Sequence, residues 1–166
     1  DWIIQSCPQS GPDIMVSGDS IFSVFFSGAD GSNIYFTSGN KETMTVGEQF
    51  QIPSISGTDK NQNSPSIAGR GDTLAVVWQE SNSSFDIMMA WSVDGSGDLL
   101  KNTMIIDNGF LSQKLPDIVY GNGLFYIVYE DQLSSQVMYR IASFEEIVNV
   151  SSIEYSDLPV KISPNP

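Results

Sequence analysis

Two aspartates at equivalent positions are the first candidates for chemistry in this sequence. Asp13 follows Pro12, and Asp117 follows Pro116. Paired carboxylates accept strong hydrogen bonds from ligand hydroxyls and amines, and they can also divide acid and base work between them. Their equivalence favours a structural task just as directly, such as capping a neighbouring backbone. We carry Asp13 and Asp117 as candidate ligand-binding residues with both interpretations open.

Oxygen-bearing side chains alternate along two further stretches, which is the spacing that calcium-binding loops use. The first stretch holds Asp94, Ser96 and Asp98, and the second holds Asp59, Asn61 and Asn63. Neither has the glycine at the sixth position or the distal glutamate of an EF-hand loop. Despite these two departures, the spacing of Asp94, Ser96 and Asp98 is compatible with a calcium site. No other cofactor is expected.

The composition excludes several kinds of chemistry within this chain. There is no histidine and a single cysteine, Cys7, so Ser/His/Asp and Cys/His catalysis and zinc sites of that type are ruled out. The net charge of -13 repels phosphate backbones, so nucleic acid is not an expected partner. No run of 18 apolar residues exists, so no transmembrane helix is expected.

Several other polar and aromatic side chains have plain structural interpretations. Glu80, Glu130 and Asp131 end predicted strands and are expected to be solvated loop residues. Trp78 and Trp91 fall at strand positions, where packing in a core is a more economical interpretation than stacking on a sugar.

The elements that must position these residues come from an internal repeat. Pro12, Pro65 and Pro116 lie 53 and 51 residues apart. Each proline is followed by a short apolar run, a glycine-containing turn and a longer apolar-aromatic run. Glycine at such turns supplies the positive φ that hairpins need. The repeat therefore predicts an antiparallel hairpin at the start of each unit.

Two more strands are predicted in every unit. The third strands are expected at 33–37, 86–92 and 136–141, and weaker fourth strands at 48–52, at 103–106 and within 147–153. Four short strands recurring about every 50 residues are typical of propeller blades. A sandwich of about 12 strands is the alternative, but it gives no reason for the threefold pattern.

We therefore predict an all-β fold made of three four-stranded antiparallel blades of a β-propeller. The expected division is 1–10 closing strand of a preceding blade, 11–57 blade 1, 58–110 blade 2, 111–155 blade 3, and 156–166 linker. Propellers have about 4 to 8 blades, so three are expected to be the C-terminal half of a six-bladed ring. The remaining blades would come from the same protein or from another chain, and two copies closing by two-fold symmetry are a further possibility.

The segment at 2–12 reads W-I-I-Q-S-C-P-Q-S-G-P. It resembles the W-x-I-x-x-C-P-x-S-G-P segment of bacterial sialidase-like proteins with BNR (Asp-box) repeats. The family's Asp box survives only as a remnant at Ser92, where the motif's glycine is displaced and its tryptophan is absent. The resemblance implies that Asp1 is not a natural start and that further blades precede it.

In sialidases of that family, three arginines bind the acidic sugar through paired bonds to its carboxylate. This chain has two, Arg70 in a hairpin turn and Arg140 in a third strand. Arg140 is carried as a candidate ligand-binding residue. The sialidase's tyrosine nucleophile and its glutamate and aspartate partners are not identified here, so no catalytic residue is assigned.

The tail at 158–166 reads L-P-V-K-I-S-P-N-P and resembles the start of a type IX secretion signal domain. That resemblance implies export and a secreted or outer cell-surface location. The leading hypothesis is a non-catalytic surface propeller that binds a glycan or a surface protein, as in adhesion. The alternatives are the C-terminal half of a sialidase-like glycoside hydrolase, with most catalytic residues upstream, and a structural subunit of a surface assembly.

Overall fold

The computed structural model describes residues 11–29, 31–55, 61–81, 84–94, 99 and 102–143. This part of the chain forms eleven β-strands and no α-helix. The strands are β1 (Asp13–Ser17), β2 (Ser20–Ser27), β3 (Asn33–Asn40), β4 (Thr45–Gln51), β5 (Asn61–Arg70), β6 (Thr73–Ser81), β7 (Phe85–Ser92), β8 (Thr103–Asp107), β9 (Gln113–Gly121), β10 (Leu124–Asp131) and β11 (Gln136–Ala142). No helix in these ranges is long and apolar enough to cross a membrane.

The strands form three antiparallel sheets in which chain neighbours are also sheet neighbours. Blade 1 has the order β1-β2-β3-β4, blade 2 the order β5-β6-β7-β8, and blade 3 the order β9-β10-β11. The fourth strand predicted for blade 3, within 147–153, lies outside the described residues, as do 1–10 and the tail at 156–166. The first hairpin of each blade turns through a glycine with positive φ: Gly18, Gly71 and Gly123.

The blades pack face to face through two hydrophobic clusters. The first cluster joins blades 1 and 2 around Val24, Phe36 and Trp78, and the second joins blades 2 and 3 around Val77 and Ile127. All five side chains are almost wholly buried. Alternate residues along each strand therefore face the preceding or the following blade, because side chains alternate across a strand.

The first strands of the blades, β1, β5 and β9, lie side by side, since β5 contacts both of the others extensively. Successive meander sheets stacked through both faces, with their first strands together, are the arrangement of propeller blades. The predicted all-β propeller fold is confirmed, and the six-bladed ring remains a prediction. Trp78 is fully buried and Trp91 packs beside the second cluster, as expected for core residues.

Candidate functional site

The two candidate aspartates meet at the inner edge of the blades, around a serine hydroxyl. Ser66 Oγ lies 2.8 Å from Asp13 Oδ2 and 2.9 Å from Asp117 Oδ1. The hydroxyl has one proton, so it donates to one carboxylate at a time. Ser66 was missed in the sequence, although it follows Pro65 just as the aspartates follow their prolines. We call these three residues the inner acidic cluster.

Backbone amides hold both carboxylates in place. Asp13 Oδ2 accepts the Ile67 N–H of the next blade at 2.8 Å, and Asp117 Oδ1 accepts the N–H of Ile118 at 2.9 Å. A structural role for the aspartates predicted such a cap on a neighbouring backbone, and the bond from Ile67 to Asp13 provides it. Asp117 is nevertheless exposed, and no described residue donates to its Oδ2. One oxygen of the cluster is thus open to an external donor.

The backbone is strained just before the inner acidic cluster. Ser64 and Leu115, each directly before a proline, both have φ of 52°. That left-handed conformation is costly for a side-chain-bearing residue, and the position before proline ordinarily favours extended backbone. The strand pairing shifts at both places, as in a β-bulge. Bulges re-aim the side chains that follow them, and here those side chains are Ser66 and Asp117.

A glutamine from the neighbouring blade fixes one of these strained turns. Gln79 Oε1 accepts the Leu115 N–H at 2.9 Å, and Gln79 itself is buried. An amide displaced from its ladder partner by a bulge needs such an acceptor when it is removed from water. The position of Asp117 therefore depends on the contact between blades 2 and 3.

Arg140, the third candidate, lies apart from the inner acidic cluster, in the interface between blades 2 and 3. Its Nη2 lies 2.9 Å from Asp107 Oδ2, and its guanidinium lies 5.6 Å from the ring centroid of Tyr129. The Tyr129 hydroxyl donates to the same oxygen of Asp107. Arg140 is 7% exposed. In this position its guanidinium joins two blades.

Tyr129 is held in its protonated form by these surroundings. Burial raises the pKa of Tyr129 well above its ordinary value, and the hydrogen bond to Asp107 and the charge of Asp107 raise it further. The Arg140 charge opposes this change only in part. The phenol therefore remains a hydrogen-bond donor at neutral pH, which suits a structural role for the group.

The expectation that Glu80 is solvated is wrong. Glu80 is fully buried and accepts three side-chain hydrogen bonds, from Ser54 Oγ at 2.7 Å, Gln62 Nε2 at 3.1 Å and Trp78 Nε1 at 3.1 Å. A carboxylate tolerates burial only when such donors surround it. Ser54 follows the strands of blade 1, so this network joins blades 1 and 2.

A glutamine lies three residues before each of two prolines, and its position in the sequence gives no sign of its partner in another strand. Gln62 precedes Pro65, and Gln113 precedes Pro116. Gln113 Nε2 donates to Asp131 Oδ1 at 3.0 Å, which parallels the bond from Gln62 to Glu80. Burial by itself would raise the pKa of Asp131, but bonds from Ser134 and Gln113 outweigh it and lower the pKa. Asp131 is half-buried, whereas Glu130 is exposed as expected.

Asp86 carries an unfavourable negative charge beside this network. Burial raises the pKa of Asp86, and the charges of Asp107 and Glu80 raise it further. Its folded-state pKa therefore exceeds the unfolded value of about 3.9. Folding then costs free energy as the pH rises through the folded-state pKa, because the native state binds the proton more tightly.

We expect Asp86→Asn to stabilise the protein at pH 7 by a few tenths of a kcal/mol, since this half-exposed site is partly screened by solvent. The gain should shrink as the pH falls, and it should vanish near pH 3, where both states of Asp86 are protonated. Urea unfolding of both proteins at several pH values measures the difference. A gain that grows towards acid pH would contradict the assignment.

The predicted calcium residues are only partly within the described ranges. Asp94 Oδ1 accepts a hydrogen bond from Ser92 Oγ at 2.8 Å, directly after β7. Ser96 and Asp98 lie outside the described residues, as does Asp59 of the second stretch. Among the described residues, no three acidic, histidine or cysteine side chains are grouped to hold a metal ion. Calcium at 94–98 remains a prediction.

Comparison with known proteins finds likeness in structure. No family model matches the chain, and no curated protein matches it. A GH43 endo-arabinanase from Bacillus licheniformis is similar in structure, with a TM-score of 0.48 and 18% sequence identity. The match covers 79% of this chain and 49% of that enzyme, so the chain spans about half its length.

Proposed function

We propose that this chain is a non-catalytic, secreted or cell-surface β-propeller module that binds a glycan at the inner acidic cluster. The observation that carries the proposal is the meeting of Asp13 and Asp117 around Ser66, with Asp117 exposed. A sugar presents adjacent hydroxyl groups, and hydrogen bonds from them to carboxylates are stronger than those to neutral acceptors.

The surroundings of Asp117 suit a sugar ring as well as its hydroxyls. Leu115 is 52% exposed and lies two residues earlier on the same strand. Binding sites combine apolar surface with a few well-placed polar groups that fix orientation. The strained turn at Leu115 and its bond to Gln79 hold the carboxylate in position before a ligand arrives, which lowers the entropic cost of binding.

A sialidase-like glycoside hydrolase is the second candidate, and the close pairing of the same two carboxylates supports it, because paired carboxyl groups can divide acid and base work between them. Both oxygens lie within hydrogen-bonding distance of a single atom, so they are less than about 6 Å apart. In this alternative, Asp13 and Asp117 would do chemistry and residues from further blades would complete the site.

We expect Asp117→Asn to weaken glycan binding at least about tenfold, which corresponds to the loss of one charge-assisted hydrogen bond. Binding is measured by screening the chain on a glycan array and then titrating the best ligand by calorimetry. Asp72→Asn is the matched control, because Asp72 is an exposed aspartate in the hairpin at the far end of β5. It should bind like the unaltered chain.

Three other outcomes decide against the leading proposal. Binding to no glycan would contradict it, and so would equal weakening by the two asparagine variants. Hydrolysis of a bound glycan that Asp117→Asn abolishes would instead establish the hydrolase alternative.

A further inference from the structure

The two outermost blade faces are built like the faces that are buried between blades. We call the side of a blade that faces the preceding blade its backward face, and the other side its forward face. The residues directly after Asp13, Ser66 and Asp117 are Ile14, Ile67 and Ile118. These three isoleucines occupy equivalent positions on the backward faces of their blades. Ile67 and Ile118 are 5% and 7% exposed, whereas Ile14 in blade 1 is 61% exposed.

Two more apolar side chains, Ile21 and Phe25, lie half-buried on the backward face of blade 1, beside the polar Ser23. Ile21 and Phe25 correspond to Leu74 and Trp78, which are fully buried against blade 1. The Phe25 ring stacks on Tyr35, with 5.8 Å between centroids. An open groove of about 330 Å³, lined by Ile14, Ile21 and Phe25 among others, runs across this face.

The forward face of blade 3 shows the same pattern from the other side. Val128 is 41% exposed, whereas its equivalents Val24 and Val77 are fully buried against the following blade. Val119 is 60% exposed, and its equivalent in blade 2, Ala68, is buried. Exposed apolar patches of this kind mark interaction surfaces.

These two surfaces are the two halves of one type of interface. Within the chain, the forward face of blade 1 packs on the backward face of blade 2, and the same holds between blades 2 and 3. Among the described residues, no blade packs on the backward face of blade 1 or on the forward face of blade 3. A head-to-tail contact between copies, repeated under a rotation that closes, forms a ring.

We infer that a second copy of this chain covers both faces, with the forward face of blade 3 packing on the backward face of blade 1 in each direction. Two copies supply six blades, within the usual range of about 4 to 8. The ring places Asp117 of each copy beside Asp13 of the other, so the partner copy extends the inner acidic cluster. The inference is independent of glycan binding, since it rests on the apolar faces alone.

Sedimentation velocity and light scattering on the 166-residue chain test the inference. One copy has a mass of 18.2 kDa, so we expect a species of about twice that mass at micromolar concentrations, as for stable interfaces of this kind. Ile14→Lys and Val128→Lys should each weaken the dimer at least about 100-fold, because a buried unpaired charge is costly. Both positions are exposed in a single copy, and circular dichroism should show that each variant folds.

Leu133→Lys is the matched control, because Leu133 is 62% exposed but lies in the turn between β10 and β11, off both faces. It should leave the dimer intact. A monomer at 100 µM would overturn the inference, and so would a dimer that resists both lysine variants. Disruption by only one of them would indicate a symmetric contact through a single face. A ladder of larger species would show that the contact does not close into a ring. Disruption by one variant alone and a ladder of larger species would each overturn the two-copy ring.

Discussion

Replacing Glu80 with alanine is expected to lower the free energy of unfolding by about 3 to 5 kcal/mol. The carboxylate is fully buried and accepts bonds from Ser54, Gln62 and Trp78. Its removal leaves these donors without their acceptor, and each buried unpaired polar group costs about 1 to 3 kcal/mol. Single domains are stable by about 5 to 15 kcal/mol, so this one change removes a large share.

Urea unfolding followed by far-ultraviolet circular dichroism measures the loss, because the fluorescence of Trp78 would itself respond to the substitution. Glu130→Ala is the matched control, since Glu130 has the same side chain near the end of the equivalent strand and is exposed. It should change the free energy by less than about 0.5 kcal/mol. Equal effects of the two substitutions would show that the Glu80 network contributes nothing.

Glu80→Gln sharpens the interpretation of that result. Glutamine keeps the length of the side chain and one acceptor oxygen, but its NH2 group would face donors. We expect an intermediate loss of stability. The contrast separates the need for an acceptor from the need to fill the space between blades 1 and 2.

The strands and hairpins were predictable because their signals are local. The repeat in Pro12, Pro65 and Pro116 fixed the period, and the glycine turns fixed where each first hairpin reverses. The apolar and apolar-aromatic runs on either side of these turns then indicated strands. Boundaries shifted by a few residues, for example where β4 begins at Thr45, three residues before the predicted start.

The meeting of Asp13 and Asp117 follows from the same repeat, since equivalent residues on adjacent first strands must lie close together. The role of Ser66 does not follow so simply. A serine after proline is an ordinary turn residue, and only the packing of three blades gives it two carboxylate neighbours. The repeat predicts that Ser66 lies beside Asp13 and Asp117, but it does not predict the hydrogen bonds that join them.

Glu80 and Leu115 were beyond sequence reasoning for different reasons. The donors to Glu80 come from sites 26, 18 and 2 residues away, so no local pattern shows that the charge is compensated. The left-handed backbone at Leu115 opposes the usual preference before proline. It persists because a bulge holds it and because the Leu115 N–H donates a hydrogen bond to Gln79 in another blade.

The interface between blades 2 and 3 offers the other substitution with a large expected effect, Asp107→Ala. The change leaves the guanidinium of Arg140 buried without its carboxylate and the Tyr129 hydroxyl without its acceptor. Breaking a buried ion pair by removing one partner costs about 3 to 5 kcal/mol, because the remaining charge is uncompensated. We expect a loss of that size in urea unfolding.

A second substitution separates the cost of a stranded charge from the loss of the contact itself. In the Asp107→Ala/Arg140→Met double variant no charge is left unpaired, and the methionine still fills the space beside Tyr129. Replacing a buried ion pair with apolar side chains is often close to neutral, so the double variant should recover at least about 1.5 kcal/mol relative to Asp107→Ala.

Additive losses would mean that Asp107 and Arg140 do not depend on each other. In that case the candidate role of Arg140 in ligand binding would be retained. A strong coupling instead assigns the charge of Arg140 to the blade interface and leaves Asp13 and Asp117 as the remaining candidates for ligand binding.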